Sequence, residues 1–437
     1  MSRISAWTPW WGTSLAATLM LVSPHACAAL PRPLQSLAAL PGQPDRQIRV
    51  RLKEREPQLE FRGFDLVFSR GEAVRRGFLG GRVPVIHTNR LTRWKAKCRK
   101  GQVELVGSDG EGKLFDAVAW VESPSGFVTV GAGLRLRDSL QIRALPREEG
   151  CELVNSVDVE KYLEGLVNSE FSSKWSREAI DAQVIAARTY AYHQMRAARA
   201  NRAASYDVES SVKDQVYEGV HKEDARAAQS VARTRDLILS ADAGGGPIKA
   251  FYHSTCGGQT ELPTSVWGRG STGFTRRVPC PYCKVSPRFR WNIEASSAQL
   301  KERILGALPA SSLPDYVRGG ELESVSIAER HPSGRASKLV SKWRWKGMSL
   351  RWDFTAVQLR SWVGLSKMLS TWFDLSQMSD GRWKISGRGF GHGVGMCQWG
   401  AKVMGEKGQK MADILRHYYP DARLVSMSSA RRALASH

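Results

Sequence analysis

The chain has 437 residues, 42% of them hydrophobic and 24% charged, which supplies a buried core for two or three domains and excludes a wholly disordered or coiled-coil protein. Lysine and arginine (64) outnumber aspartate and glutamate (42), and the resulting net charge of +22 asks for a polyanionic partner: nucleic acid, an anionic membrane surface or an acidic polymer.

Residues 1–28 have the layout of a signal peptide. Arg3 gives a short positive start, Trp10 to Val22 is apolar or small, and Ala26-Cys27-Ala28 has the small-x-small form of a cleavage site. The apolar run is too short to span a membrane, and Pro24 and His25 argue against lipidation of Cys27. Export to periplasm or cell wall follows as the expectation. It argues against nucleic acid as partner and permits disulfides among the other cysteines.

Residues 29–45, with Pro31, Pro33, Pro41 and Pro44, read as an extended linker. A β-rich region is expected at 46–150, from alternating runs such as Ile48–Leu52, Phe64–Phe68 and Val103–Val106 punctuated by glycine. Helical texture starts at Asp158, a candidate N-cap, followed by an apolar stripe of Val159, Tyr162, Leu163, Leu166 and Val167. Continued one turn, the stripe reaches Glu170, where a carboxylate is either misplaced or a working group. A second helix is expected after Ser176, with Ile180, Val184, Ala187 and Ala191 on one face. A third is expected between Lys222 and Arg235. Leu237–Leu239 and Ile248–Tyr252, around Gly244-Gly245-Gly246, read as a hairpin. Beyond them come a helix near Ser297–Leu305, strands at Leu322–Ala328 and Leu339–Trp345, a last helix at Gln409–Tyr418, and a tail at 426–437. The fold class expected is α+β.

The segment from Asp158 to Phe171, then Ala179 to Tyr190, resembles the signature of the SpoIID/LytB family, roughly YL-x-G-V-x-x-E-M followed by A-x-x-AQ-x-x-AART-Y. Further blocks at Asp214–Gly219, Tyr252–Gly258, Val266–Gly268 and Gly387–Ala401 follow in the family's order, so the resemblance covers about 150–425, the expected catalytic domain being 151–425. The resemblance implies a peptidoglycan lytic transglycosylase. It would cut MurNAc-GlcNAc bonds in glycan strands already stripped of stem peptides and leave 1,6-anhydro-MurNAc ends, without a catalytic cofactor. The family's acid maps onto Glu170, with Phe171 in place of the usual methionine. The LytB side of the family implies the alternative, a non-catalytic glycan-binding activator of cell-wall amidases.

The chemistry agrees with a single acid. A hydrolase usually needs two carboxylates, whereas attack by the sugar's own C6 hydroxyl needs one group to give a proton and then take one. Candidate substrate contacts are Gln183, Arg188, Tyr190, Tyr252, His392 and Gln398. Arg188 can bind a lactyl carboxylate or, alternatively, brace the helices through Glu164 or Asp181. The glycines of 387–400 lack the Lys-Ser/Thr of a phosphate loop and read as a tight turn that lets backbone approach sugar. His253, Cys256, Cys280 and Cys283 match a structural zinc in number and type, although an exported chain could instead oxidise these cysteines. Cys98 and Cys151 are candidates for pairing, and Cys397 is expected to be buried. Most of the 15 tryptophans are expected in the core.

Overall fold

The computed structural model describes residues 46–71, 82–124, 126–201, 203–241, 246–270 and 273–427. The expected signal peptide and linker, and residues 428–437 of the expected tail, lie outside the described residues. The described residues form one compact unit of mixed α and β structure. Among the described residues no helix is long and apolar enough to cross a membrane.

Two sheets build the N-terminal region. In the six-stranded sheet, Thr92–Arg99 and Gln102–Gly107 pair antiparallel and alternate strictly between buried and exposed, as the period-two pattern predicts. The seven-stranded sheet has Gln47–Glu56 beside Cys151–Asp158, in antiparallel register from Gln47↔Asp158 to Glu56↔Cys151. One hydrophobic core joins both sheets to the first helices, and a disulfide between Cys98 and Cys151 links a strand of each. The boundary expected at 150 therefore falls inside a sheet, because strand Cys151–Asp158 is buried on both faces between its neighbours. The run Phe64–Phe68 is not one strand. Strands Leu59–Gly63 and Val67–Gly71 flank a turn in which Asp65 takes φ 56° and Phe64 is exposed.

Helix α1 (Val159–Glu170) starts where Asp158 accepts the backbone N–H of Glu160 at 2.8 Å, and its predicted stripe is buried throughout. Helix α2 (Arg177–Ala200) is lined with small residues, which lets it run through the protein with most of its first four turns buried. Asp181 fastens it to helix α3 (Ala225–Arg233) by accepting from Ser230 at 2.6 Å and pairing with Arg233 at 2.7 Å. Where the hairpin was expected around Gly244–Gly246, Ser240 and Pro247 form an antiparallel bridge and the Ile248 N–H donates to the Leu239 carbonyl at 3.1 Å, while residues 242–245 lie outside the described residues. Leu237–Ser240 also pairs along its full length with Arg423–Ser426, near the far end of the chain.

Residues 291–385 carry a second core. Strands Glu321–Arg330, Ala336–Trp345 and Met348–Thr355 form a sheet, with helices Ser297–Ala307 and Ala356–Val363 packed beside it. Trp291, Trp343, Trp362 and Trp383 are buried there, as expected of core tryptophans. A third core surrounds Cys256, Cys280, Cys283 and Cys397 beneath α2. Its last elements are helices Gln398–Glu406 and Met411–Tyr418.

Candidate functional site

Glu170 ends α1 at a cleft of about 870 Å³ lined from all three cores. Its Oε1 accepts the Val216 N–H at 2.6 Å, and among the described residues its second oxygen has no protein partner. Burial of the carboxyl pushes its pKa up to about 7, against the opposing pull of the Val216 N–H. Beneath it lie two tyrosines, Tyr162 buried and Tyr252 half-buried, held by one side chain. Gln215 accepts from Tyr162 Oη at 2.9 Å and donates to Tyr252 Oη at 2.9 Å. A carboxyl in this setting can both give and take a proton near neutral pH. Phe171, standing where the family pattern has methionine, packs edge-on against Trp175, which packs against Trp399.

Of the residues singled out in the sequence, Glu170, Tyr190, Tyr252, His253, His392 and Gln398 line this cleft. Gln183 and Arg188 do not. Arg188 is fully buried, with Nε and Nη2 on the two carboxylate oxygens of Glu160 at 3.0 and 2.8 Å, and it also donates to the carbonyls of Val231 and Thr234. It braces α2 against α1 and α3, through Glu160 rather than Glu164 or Asp181. Gln183 is also buried, and among the described residues its amide atoms have no partner.

The glycine block acts on protein backbone more than on the open cleft. Gly395 has φ +72°, and a Cβ there would sit 1.9 Å from the Phe251 carbonyl oxygen. This close approach brings Val394 between two histidines. Its N–H donates to His392 Nδ1 at 3.0 Å, so the His392 proton sits on Nε2. Its carbonyl accepts from His253 Nδ1 at 3.0 Å, which leaves His253 Nε2 a bare acceptor, buried and without a protein partner. One peptide unit thus fixes the tautomers of two imidazoles that line the cleft. Burial pushes the His253 pKa down to about 4 and that of His392 well below the usual imidazole value. We expect ¹⁵N NMR to report His253 protonated at Nδ1 and His392 at Nε2, both neutral between about pH 5 and 8. An imidazolium at either position at pH 7 would contradict this arrangement. Gln398 adds a third polar group, its buried Nε2 also lacking a partner.

Other cleft residues went unmarked in the sequence. Trp267 stacks on Phe251 at 4.5 Å and is 43% exposed, an aromatic surface at the rim. It lies in the Val266–Gly268 block, so its signal was present. Asp214, also in a recognised block, accepts from Tyr190 Oη at 2.6 Å, Gln194 at 3.1 Å and the Glu209 N–H at 2.9 Å. Both its oxygens are engaged, which makes it a brace for Tyr190. Arg288 and Arg360 carried no motif.

The metal ligand set differs from the expected one. Cys256, Cys280, Cys283 and Cys397 are all buried, and their sulfurs lie within 4.8 Å of one another, whereas His253 is not of the group. Cys256 and Cys283 sulfurs are 3.5 Å apart, close to the edge of about 3.8 Å that a tetrahedron with metal–sulfur bonds of about 2.3 Å requires. The N–H groups of Cys256 and Gly258 point at sulfurs of the group at 3.2 and 3.4 Å. Four soft donors, closed to solvent and met by N–H donors, suit a structural metal ion with no open position for water.

Comparison with known proteins agrees with this geometry. The family model described as "Stage II sporulation protein" (SpoIID) matches residues 147–240, and one described as "Domain of unknown function (DUF8618)" matches 283–395. The chain is 30% identical to an uncharacterized protein of Brachyspira hyodysenteriae over 333 residues, 76% of this chain and 81% of the relative. It is 28% identical to the stage II sporulation protein D of Bacillus amyloliquefaciens, over 61% of this chain and 74% of that one. It is 26% identical to the amidase enhancer of Bacillus subtilis (strain 168), over 60% of this chain and 40% of the enhancer. With the Glu170 helix inside the matched segment and the cleft assembled around it, the chain belongs to the SpoIID family.

Proposed function

We propose that the protein is an exported peptidoglycan lytic transglycosylase acting on glycan strands without stem peptides, with Glu170 as both general acid and general base. The observation that carries this reading is the enclosed Glu170 carboxyl, poised near neutral pKa in a cleft whose other carboxylate, Asp214, is fully engaged. Protonated Glu170 gives its proton to the glycosidic oxygen as the bond from that oxygen to C1 of MurNAc breaks. The C6 hydroxyl of the same sugar then bonds to C1 and returns its proton to Glu170, so the ring closes without water. Trp267 offers a face for a sugar ring, while His253, His392 and Gln398 put polar side chains in the cleft wall beside it. The disulfide between Cys98 and Cys151 suits an oxidising compartment outside the cytoplasm. The tetrathiol cluster is read as a structural zinc site that takes no part in the reaction.

The test is mass spectrometry of products from amidase-treated sacculi. Anhydro-MurNAc ends, one water lighter than hydrolysed ends, are the expected result, and reducing MurNAc ends would show that water is the nucleophile. The likeness to an amidase enhancer favours a second reading, a glycan-binding protein that activates an amidase. Absence of any turnover by the purified protein, together with stimulation of an amidase, would select it.

A further inference from the structure

Arg360 sits on helix Ala356–Val363, in the segment matched by the second family model and outside the one matched by the SpoIID model. Its helix is fixed at both ends. Thr355 and Gln358 form a reciprocal cap at the start, and Gly364 closes it with φ 101°. The guanidinium is aimed by its own Nε, which donates to the Met368 carbonyl at 3.0 Å. It lines the same cleft as Glu170, flanked by Val357 and Leu365, whose exposed apolar side chains form that rim.

What distinguishes Arg360 is an enclosed charge without a counter-ion. Among the described residues no carboxylate lies within ion-pair distance of it, and burial pushes its pKa down to about 10 with no anion to offset this. The other cleft cations stand in solvent: Lys213 pairs with Glu209 at 3.4 Å, and Arg288, also without a carboxylate partner among the described residues, is exposed and lies over the Phe390 ring at 4.8 Å. An enclosed guanidinium without a counter-ion is costly to maintain, and its planar fork matches a carboxylate in two hydrogen bonds.

We propose that Arg360 is the anion-reading subsite of this cleft, taking the lactyl carboxylate of a MurNAc residue and rejecting a strand in which that carboxyl is capped as an amide. The assignment rests on the functional reading above. It places substrate selection on a module separate from the one that carries the acid. A free lactyl carboxylate supplies the missing counter-charge, whereas an amide leaves the guanidinium buried and unpaired, the asymmetry that makes charged hydrogen bonds selective.

The test measures binding by calorimetry of three probes to the full-length protein: a MurNAc-GlcNAc tetrasaccharide with free carboxylates, the same sugar with both carboxylates converted to primary amides, and chitotetraose. The Glu170→Gln background prevents turnover. The free acid should bind about ten- to a hundredfold more tightly than the amide, the range expected of a charge-assisted hydrogen-bonded pair. Adding Arg360→Gln should abolish that preference while leaving affinity for the amide and for chitotetraose unchanged, which also shows the variant to be folded. Arg360→Lys should keep part of the preference. Equal binding of acid and amide before Arg360 is changed, or a full preference in the Arg360→Gln protein, overturns the subsite while leaving the cleavage reaction standing. If no sugar binds at all, the functional reading falls and takes the subsite with it.

Discussion

Glu170→Gln should fold, bind stripped glycan and lose turnover by about 10² to 10⁴, the usual worth of general acid–base help. Gln keeps the size of the side chain and can still accept the Val216 N–H, but it can neither protonate the leaving oxygen nor receive the C6 hydroxyl proton. The same substitution should stabilise the protein at high pH. With a folded pKa of about 7 against about 4.5 when unfolded, the native state of the unsubstituted protein holds more protons across that window. Its stability therefore falls as pH rises toward 7 and stays reduced above it. Gln never ionises, so the variant should gain about 2 to 3 kcal/mol in urea melts at pH 8 and almost nothing at pH 4. Activity of the unsubstituted protein should decline above about pH 7 for the same reason, as the acid form is lost. Unchanged cleavage by the variant would remove Glu170 from the mechanism. An inactive variant with no gain at pH 8 would show that the carboxyl is not strained by burial.

How much of this was legible in the sequence depends on the range over which each signal acts. Helices α1 and α2 could be read because caps and apolar stripes are local, and Glu170 stood out as a carboxylate prolonging a buried stripe. The N-terminal strands showed in their alternation, yet the break at Phe64–Leu66 did not, since a turn made by Asp65 at positive φ leaves the apolar pattern intact. Pairing between distant segments was hidden. Leu237–Ser240 meets its expected hairpin partner at the Ser240–Pro247 bridge, but the strand it pairs with along its full length lies near residue 425. Arg188 illustrates the same limit. Glu164 and Asp181 were the partners the sequence offered, and the choice of Glu160 depends on how α1 crosses α2. Arg360 had no motif around it, and its importance appears only when the module of 283–395 is seen to form one wall of the cleft.

Metal removal is the second perturbation with a large expected effect. The sequence offered His253 as the fourth ligand because it lies three residues before Cys256, whereas Cys397, 141 residues beyond Cys256, completes the group in space. Burial pushes the Cys256 and Cys397 thiols up in pKa, and four thiolates within 4.8 Å of one another would repel, so ionising the whole group calls for a cation. One zinc ion per chain is expected by native mass spectrometry. Cys397→Ser should abolish or greatly weaken its binding, while His253→Ala should leave the metal content unchanged. Chelation should lower the melting temperature by at least about 10 °C, since zinc binding is coupled to folding and several kcal/mol are at stake. The four thiols should become reactive only then, with Cys98 and Cys151 still joined. The loss should reach the cleft as well. Strand Tyr252–His253 pairs with Met396–Cys397, so the cluster holds in register the two segments that present His253 and Gln398 to the cleft. Recovery of two of Cys256, Cys280 and Cys283 as an oxidised pair, with no metal bound, would replace the zinc site by a disulfide. A Cys397→Ser protein that retains zinc while His253→Ala loses it would restore the ligand set first read from the sequence.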